Sequence, residues 1–319
     1  LNVLADNMTL TAQGGSIGLA ANPLDVGVDA TGRISAYAPN GAIHLNGPLG
    51  TSFNIAEVAA GDVARLSADV DMLIDGPVSA PGQVGLVAGG DIAMTANAAV
   101  SAGVIGALVN AGSLTMADGA SINVGVGTIR IVTDGDMRIT GIETGNDGVS
   151  NMGGTDSSVY IESLHGSIYD AGDTRLDIIT DTAPAAKLII KAAGQIGGNP
   201  LDVRLLNLDA VSGGLTHINE QDSINVESLQ AGGEVLFNAG VAAPGSITGG
   251  TIASSGGPVN LAASGGGVSL AGVTGQTGVN VLADTGIDLG AAASAGGSVF
   301  LGSTAGDINI GTGSAAGGF

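Results

Sequence analysis

A short phrase that returns about every 20 residues constrains the fold of this chain more than any other feature. Between residues 256 and 310, an apolar residue, one variable side chain and a second apolar residue recur six times. Because side chains alternate between the two faces of a strand, both apolar ends of each triplet face the same way. The first, third and fifth triplets begin 20 residues apart, and the other three repeat at 19 and 21. This pattern predicts an all-β parallel solenoid with two strands per turn. The triplets are Val259-Asn260-Leu261, Val268-Ser269-Leu270, Val279-Asn280-Val281, Ile287-Asp288-Leu289, Val299-Phe300-Leu301 and Ile308-Asn309-Ile310.

The composition agrees with a thin coil. The chain is 44% hydrophobic yet has no Trp, three Tyr and four Phe, which is little aromatic bulk for a globular core of 319 residues. Small and branched aliphatic residues can fill a narrow axis, and the 57 Gly can form its corners. Disorder is the alternative for a Gly-rich chain, but positive mean hydropathy and regularly placed Val, Ile and Leu argue against it.

Length and charge indicate one soluble rod. At about 20 residues per turn we expect roughly 16 turns over residues 1–319, a single continuous solenoid on the order of 75 Å long. The net charge is -21, and no Lys or Arg occurs after Arg204. An acidic surface repels nucleic acid and anionic membranes, so we expect neither as a partner.

Other global features narrow the class further. The absence of cysteine excludes disulfide scaffolds and Cys-ligated metal sites. No apolar run reaches the ~18 residues that would span a bilayer, so we expect no membrane insertion. The sequence starts in mid-pattern and ends without a polar cap, which predicts an interior fragment of a longer polypeptide.

One long phrase occurs twice. Asn22-Pro23-Leu24-Asp25-Val26 returns as Asn199-Pro200-Leu201-Asp202-Val203, 177 residues later, and an Ile-Gly pair precedes each copy. A further strand follows each copy, at Gly41-Ala42-Ile43 and, in our alignment, at Ser223-Ile224-Asn225-Val226. Proline fits where a strand begins or a corner turns, because its missing N–H is not needed there.

The middle of the chain is less regular. Paired triplets that begin eight residues apart continue to residue 140, and Arg130 and Arg138 occupy middle positions that should point outward as a solvated face. From 141 to 187 the period loosens, and the turn-rich run from Gly145 to Asp156 predicts a long corner loop. Such loops often carry binding, although a loop without function fits equally.

The three histidines, His44, His165 and His217, show no metal-ligand spacing, and we interpret them as isolated surface residues. Acidic pairs occur at Asp69/Asp71, Asp134/Asp136 and Asp170/Asp173. Calcium could bridge such carboxylates, but Asp beside Gly is also ordinary turn chemistry and the calcium-binding Gly-Gly-x-Gly-x-Asp repeat is absent. We therefore predict no metal site and no cofactor, with structural calcium as the open alternative.

Catalysis is not expected. Polysaccharide lyases and hydrolases on β-helices gather carboxylates with Arg or Lys on adjacent turns. Only Arg130 with Arg138, and Lys187 with Lys191, are close in sequence, and neither pair has an evident acid-base partner. Nucleophile elbows, phosphate loops and dinucleotide fingerprints are missing. We predict no enzyme and no catalytic residue. The basic residues are Arg33, Arg65, Arg130, Arg138, Arg175, Lys187, Lys191 and Arg204.

These phrases resemble the repeats of filamentous haemagglutinin-like adhesins, large bacterial exoproteins exported by two-partner secretion. The resemblance lies in Gly166-Ser167-Ile168-Tyr169-Asp170, Gln195-Ile196-Gly197, the Asn199–Val203 phrase and the Gly-Gly-x-Val-x-Leu turns after 256. It implies a right-handed parallel β-helix on the bacterial cell exterior, used for adhesion, cell-cell contact or biofilm matrix. The secretion domain of that family is not in this sequence, and the repeats carry no catalytic residues.

The sequence therefore predicts the structural shaft of an extracellular adhesin or surface fibre. Receptors or glycans on a host or neighbouring cell would be bound by other parts of the chain. One alternative is a subunit of a self-assembling extracellular filament or sheath, in which cations neutralise the acidic sides. A second is a polysaccharide-binding or polysaccharide-cleaving β-helix, which requires a groove of exposed polar side chains across several turns.

Overall fold

The computed structural model describes residues 2–109, 112–125, 127–145, 159–180 and 186–318. In these ranges all regular structure is β, and no helix is present. The predicted parallel β-solenoid is confirmed, with coils about 21 residues apart and about 14 turns in all. The chain divides into two compact units, unit 1 (Leu1–Leu164 and Ala171–Arg175) and unit 2 (His165–Asp170 and Leu176–Phe319). The single continuous rod and its right-handed winding stay predictions.

Unit 1 contains seventeen strands in its described residues. They are β1 (Val3–Ala5), β2 (Met8–Thr11), β3 (Leu24–Val28), β4 (Ile34–Ala38), β5 (Ile43–Asn46), β6 (Phe53–Ala60), β7 (Val63–Ala68), β8 (Met72–Ile74), β9 (Pro77–Ala88), β10 (Ile92–Met94), β11 (Ala99–Val109), β12 (Leu114–Met116), β13 (Ser121–Val124), β14 (Ile129–Thr133), β15 (Met137–Ile139), β16 (Ile142–Thr144) and β17 (Val159–Ser163).

Unit 2 contains fifteen strands in the part of it that the structure describes. They are β18 (Ile168–Asp170), β19 (Ile178–Ile179), β20 (Lys187–Ala192), β21 (Ile196–Arg204), β22 (Asn207–Ser212), β23 (Thr216–Glu220), β24 (Ile224–Ala231), β25 (Val235–Ala239), β26 (Gly245–Ser254), β27 (Val259–Ala263), β28 (Gly265–Gly275), β29 (Val279–Ala283), β30 (Ile287–Ser294), β31 (Val299–Ser303) and β32 (Ile308–Ala315).

Three parallel ladders run through unit 1. The first joins β5, β7, β9, β11, β14 and β17, and the second joins β4, β6, β8, β10, β12 and β15. The third joins β6, β9, β11, β13 and β16. Strands β6, β9 and β11 are long and belong to two ladders each. A turn therefore has three straight segments, where the sequence predicted two.

Unit 2 shows why the third segment escaped detection. The six triplets are strands in the predicted register: Val259 pairs with Val279 and then Val299, and Val268 pairs with Ile287 and then Ile308. Strand β28 continues past Leu270 to a further buried residue, Val273, which pairs with Ala292. No Pro or Gly-Gly signal marks this corner, and the third segment is rich in Ala, Ser and Thr, so its apolar pattern is weak.

Stacked aliphatic columns form the core. In the second ladder of unit 1, the inward column is at most 3% exposed and consists of Ile34, Ile55, Ile74, Met94 and Met116. Burying one such side chain contributes about 1.5–3 kcal/mol to folding. The prediction of an aliphatic filling holds for most of the axis. Phe53 and Phe237 are fully buried, however, so a turn can accommodate a single ring.

Side-chain oxygens at the corners bond one turn to the next. Ser52 Oγ accepts the N–H of Asp71 at 3.3 Å, Asp71 Oδ1 accepts that of Asp91 at 2.9 Å, and Asp91 Oδ1 accepts that of Ser113 at 2.7 Å. Unit 2 has a similar series, in which Ser246 donates its N–H to Ser223 and accepts one from Gly267. Corner N–H groups that the ladders leave unpaired thus find side-chain partners on the neighbouring turn.

The predicted irregular region is only partly described. Ile129 pairs with Val159, 30 residues later, so the period lengthens here as the sequence indicated. Much of the predicted corner loop, residues 146–158, and residues 181–185 of the same region lie outside the described residues.

Candidate functional site

The phrase that occurs twice in the sequence makes the same two local contacts in each unit. Gly18 and Gly197 have φ values of 70° and 71°, a left-handed conformation that strongly favours glycine. A Cβ on Gly18 would lie 2.3 Å from the carbonyl oxygen of His44, and a Cβ on Gly197 would lie 2.1 Å from that of His217. Each glycine therefore allows the chain to pack against a histidine-containing strand of the next turn.

A matching hydrogen bond completes each copy. Asn46 Nδ2 donates to Asp25 Oδ1 at 2.9 Å, and Asn219 Nδ2 donates to Asp202 Oδ1 at 3.0 Å. We call residues 16–46 the first histidine motif and residues 195–219 the second histidine motif. The strand that follows the second phrase is therefore β23, and the sequence alignment with Ser223–Val226 was wrong. The cause is a shorter connection: 26 residues separate Gly18 from His44, but only 20 separate Gly197 from His217.

The interpretation of all three histidines as surface residues was wrong for His44, which is only 8% exposed. His217 is half-buried and His165 is exposed. Burial, and secondarily the positive charge of Arg65, lower the pKa of His44. Burial also lowers the pKa of His217, although the carboxylates of Glu234 and Asp202 oppose that shift. The uncharged form of both imidazoles is therefore favoured at neutral pH.

A cleft of about 370 Å³ opens beside the first histidine motif. The turn at Ala20 and Pro23 lines it together with His44, while Arg65 and Gln83 come from the next two turns of the coil. A guanidinium N–H of Arg65 donates to Gln83 Oε1 at 3.1 Å. Among the described residues, no carboxylate lies within ion-pair distance of Arg65. The cleft thus combines an uncompensated cation, an amide and apolar walls.

Arg65 belongs to an outward-facing column of the first ladder. Successive strands place His44, Arg65, Gly85, Gly106 and Arg130 in register, and Tyr160 follows. The guanidinium of Arg130 lies over the Tyr160 ring, 5.3 Å from its centroid. The expectation that Arg130 and Arg138 point outward is confirmed, since both are exposed. Two glycine positions separate the two arginines of this column.

Most of the remaining cations lie elsewhere. Arg33 forms an ion pair with Asp75, and Lys187 pairs with Glu227 at 3.2 Å. Neither partner is close in sequence, so sequence spacing could not identify these pairs. Arg204 is exposed on β21, and Lys191 is a half-buried residue of β20 in the same ladder as β22.

The acidic pairs do not form a metal cluster in the described residues, where no group of three or more His, Asp or Glu side chains is placed to hold an ion. Asp71 Oδ1 and Asp69 Oδ2 instead accept backbone N–H groups, from Asp91 and from Gly50 at 2.6 Å. Asp173 Oδ1 accepts the N–H of Arg175 at 2.6 Å. The Asp69 and Asp71 contacts join successive turns of the coil, whereas the Asp173 contact is the local turn chemistry that the sequence offered as an alternative to calcium.

Sequence reasoning did not identify Glu220 as a buried ionisable residue. Glu220 ends β23 with its side chain fully buried, in register with Val203 and Ala239. Burial raises the pKa of Glu220 to about 9, although the N–H groups of Asp222 and Leu205, which donate to its carboxyl oxygens, partly oppose the shift. The carboxyl group is therefore protonated at neutral pH. The only signal in the sequence was its position two residues after the apolar Ile218, since alternate residues of a strand face the same side.

No family model, curated protein or solved structure matches this chain. A helix long and apolar enough to cross a membrane is not found in the described residues. The fold is that of a β-solenoid repeat protein.

Proposed function

We propose that this chain is the structural shaft of an extracellular filamentous adhesin or surface fibre, and that its role is mechanical rather than catalytic. The observation that carries the proposal is the continuity of the ladders within each unit. In the described residues of each unit, successive turns pair through ladders of parallel strands over a core of stacked aliphatic residues. A structure of this kind can act as a spacer without a catalytic or binding site.

Corner contacts support the same role. A load along the coil axis is shared among backbone hydrogen bonds of the three ladders and the side-chain bonds of the Ser52, Asp71 and Asp91 corner series. Because these bonds act in parallel, separating two turns requires many to break together. The chain is thus built to resist extension.

The surface and the repeat style support an extracellular location. A net charge of -21 keeps a long repetitive protein soluble and discourages side-by-side aggregation. The repeats resemble those of filamentous haemagglutinin-like exoproteins, which leads us to propose export by two-partner secretion. Adhesion to other cells would then involve parts of the fibre beyond this shaft.

Single-molecule stretching tests the mechanical role. With the purified chain tethered at both ends, we expect high resistance followed by stepwise release, each step freeing one turn of about 21 residues, or roughly 70 Å of extended chain. Chains that extend at forces no higher than those needed to stretch an unfolded polypeptide would contradict a shaft.

Antibody labelling of the source cells tests the location. An antibody raised against the folded chain should label intact cells before permeabilisation. Labelling that requires permeabilisation would show that the protein is internal, and the adhesin proposal would then be wrong even if the chain is mechanically strong.

A further inference from the structure

We propose that the cleft beside the first histidine motif binds a carboxylate-bearing polysaccharide of low charge density, with Arg65 as the residue that contacts the carboxylate. This binding function goes beyond the mechanical role and does not depend on it. Three features of unit 1 carry the inference: the shape of the cleft, the unpaired charge in it and the open column that continues from it.

The shape suits a sugar ring. The cleft of about 370 Å³ spans four successive turns and has a size typical of small-ligand sites. Pro23 and Val87 give it apolar surface, on which the C–H face of a pyranose can pack. Gln83, Ser67 and the uncharged imidazole of His44 offer hydrogen-bonding groups for hydroxyls.

The charge selects an anionic sugar. Arg65 donates one hydrogen bond to Gln83 and, among the residues that the structure describes, has no acidic partner. A guanidinium has five N–H donors in a planar fork that matches a carboxylate. In a chain with 29 acidic and 8 basic residues, a cation held next to a cleft without a carboxylate is a strong determinant for an external one.

The column beyond Arg65 indicates a polymer and its charge density. Gly85 and Gly106 carry no side chain, so no Cβ lies between Arg65 and Arg130 in this column. Three strand steps separate the two arginines, roughly 14 Å at the usual inter-strand spacing. Two cations this far apart suit a chain with widely spaced carboxylates. The acidic remainder of the protein would repel a densely sulfated polymer.

The second histidine motif is a natural control. It has the same left-handed glycine and Asp–Asn hydrogen bond, but the positions that correspond to Arg65 and Gly85 in the His217 column are Leu236 and Asn260. No Lys or Arg follows Arg204 in the sequence, so this copy lacks both the cation and the glycine that follows it in the column.

Binding measurements on the full chain test the proposal. Biolayer interferometry would compare immobilised hyaluronan, which has one carboxylate per disaccharide, with heparin and with neutral dextran. We expect binding to hyaluronan that weakens about tenfold in Arg65→Gln, the loss of one charge-assisted contact. Gly85→Asn, which copies the second motif without changing charge, should weaken it as well. Arg204→Gln removes the same charge elsewhere and should leave the affinity unchanged, while circular dichroism confirms that each variant is folded.

Each other outcome would overturn the inference. Equal binding to dextran and hyaluronan would show that the carboxylate is not recognised. Tighter binding to heparin than to hyaluronan would replace the weakly charged ligand by a densely sulfated one. Binding lost equally in Arg65→Gln and Arg204→Gln would show a diffuse charge effect, and no binding to any polymer would remove the site.

Discussion

The two histidine motifs share two local contacts but differ in the residues that surround them. In both, a left-handed glycine packs against a histidine carbonyl and an Asp–Asn hydrogen bond closes the turn. The first copy is followed in register by Arg65 and opens into a cleft, whereas the second is followed by Leu236. The comparison shows that the motif determines local structure, while the residues of the next turn determine what that structure can bind.

The copies also differ at the third residue after the histidine. In the first motif this residue is Gly47, beside the ring of Phe53, and in the second it is the buried acid Glu220. The same corner is therefore apolar in unit 1 and ionisable in unit 2, which predicts that the two units respond differently to pH.

The largest expected effect is at Glu220. Because its folded-state pKa is about 9 and its ordinary value is 4.5, the folded state binds more protons than the unfolded state between these values. The free energy of unfolding of unit 2 should therefore fall as pH rises, by about 1.4 kcal/mol per pH unit and on the order of 6 kcal/mol across this window. Glu220→Gln should remove this slope. Denaturant titrations from pH 4 to pH 9.5 would measure it.

A matched control is Glu227→Gln. It neutralises a half-exposed glutamate of β24 that forms an ion pair with Lys187. The steep slope should persist in that variant. If Glu220→Gln and the unchanged chain show the same pH profile, Glu220 is ionised in the folded state and the contrast between the two corners fails.

The next largest effect concerns the left-handed glycines. Gly18→Ala and Gly197→Ala should each lower stability by about 3 kcal/mol, because strain in the left-handed region adds to a clash between Cβ and a histidine carbonyl oxygen. Gly50→Ala is the control, since Gly50 has a φ of 78° but a Cβ added there would meet no heavy atom within 4 Å. It should cost only about 1 kcal/mol. Hydrogen exchange of peptides from each motif would localise the loss.

Equal destabilisation by all three substitutions would mean that backbone strain alone matters. The close packing of each motif on its histidine strand would then contribute nothing measurable, and the likeness between the copies would be superficial.

The smallest effect separates the two Asp–Asn bonds. Asn46→Ala removes the bond to Asp25 and should cost about 1 kcal/mol. Asn219→Ala removes the bond to Asp202 and also leaves Asn238 Nδ2 without the oxygen to which it donates at 2.9 Å, so it should cost about twice as much. Thermal unfolding of the two variants would rank them. A larger loss of stability for Asn46→Ala would contradict a stabilising role for the Asn238–Asn219–Asp202 hydrogen bonds.

The fold could be predicted because its signal is local and repeated. Alternating apolar residues at Val259, Val279 and Val299 specify strand, face and register together, and the structure pairs them as expected. The third segment of each turn could not be found in this way, because strands such as β28 pass the corner after Leu270 without a break in secondary structure.

The candidate site was beyond sequence reasoning for a different reason. Arg65, Gln83 and His44 lie 18 to 39 residues apart, and only the coil brings them together. The sequence did contain a clue, since the two repeated phrases lead to His44 and to His217. The unequal connections hid that correspondence, and the histidines were therefore interpreted as isolated.

The corner bonds limit how such a protein can change in length during evolution. Each Ser or Asp side-chain oxygen accepts a hydrogen bond from a backbone N–H one whole coil further on. A gain or loss of a few residues within a strand would therefore move the neighbouring N–H groups away from their acceptors. A tandem copy of about 21 residues would leave all these partners matched. Lengthening by complete coils is therefore the genetic route that this architecture favours, and reach can be altered without redesigning the interior.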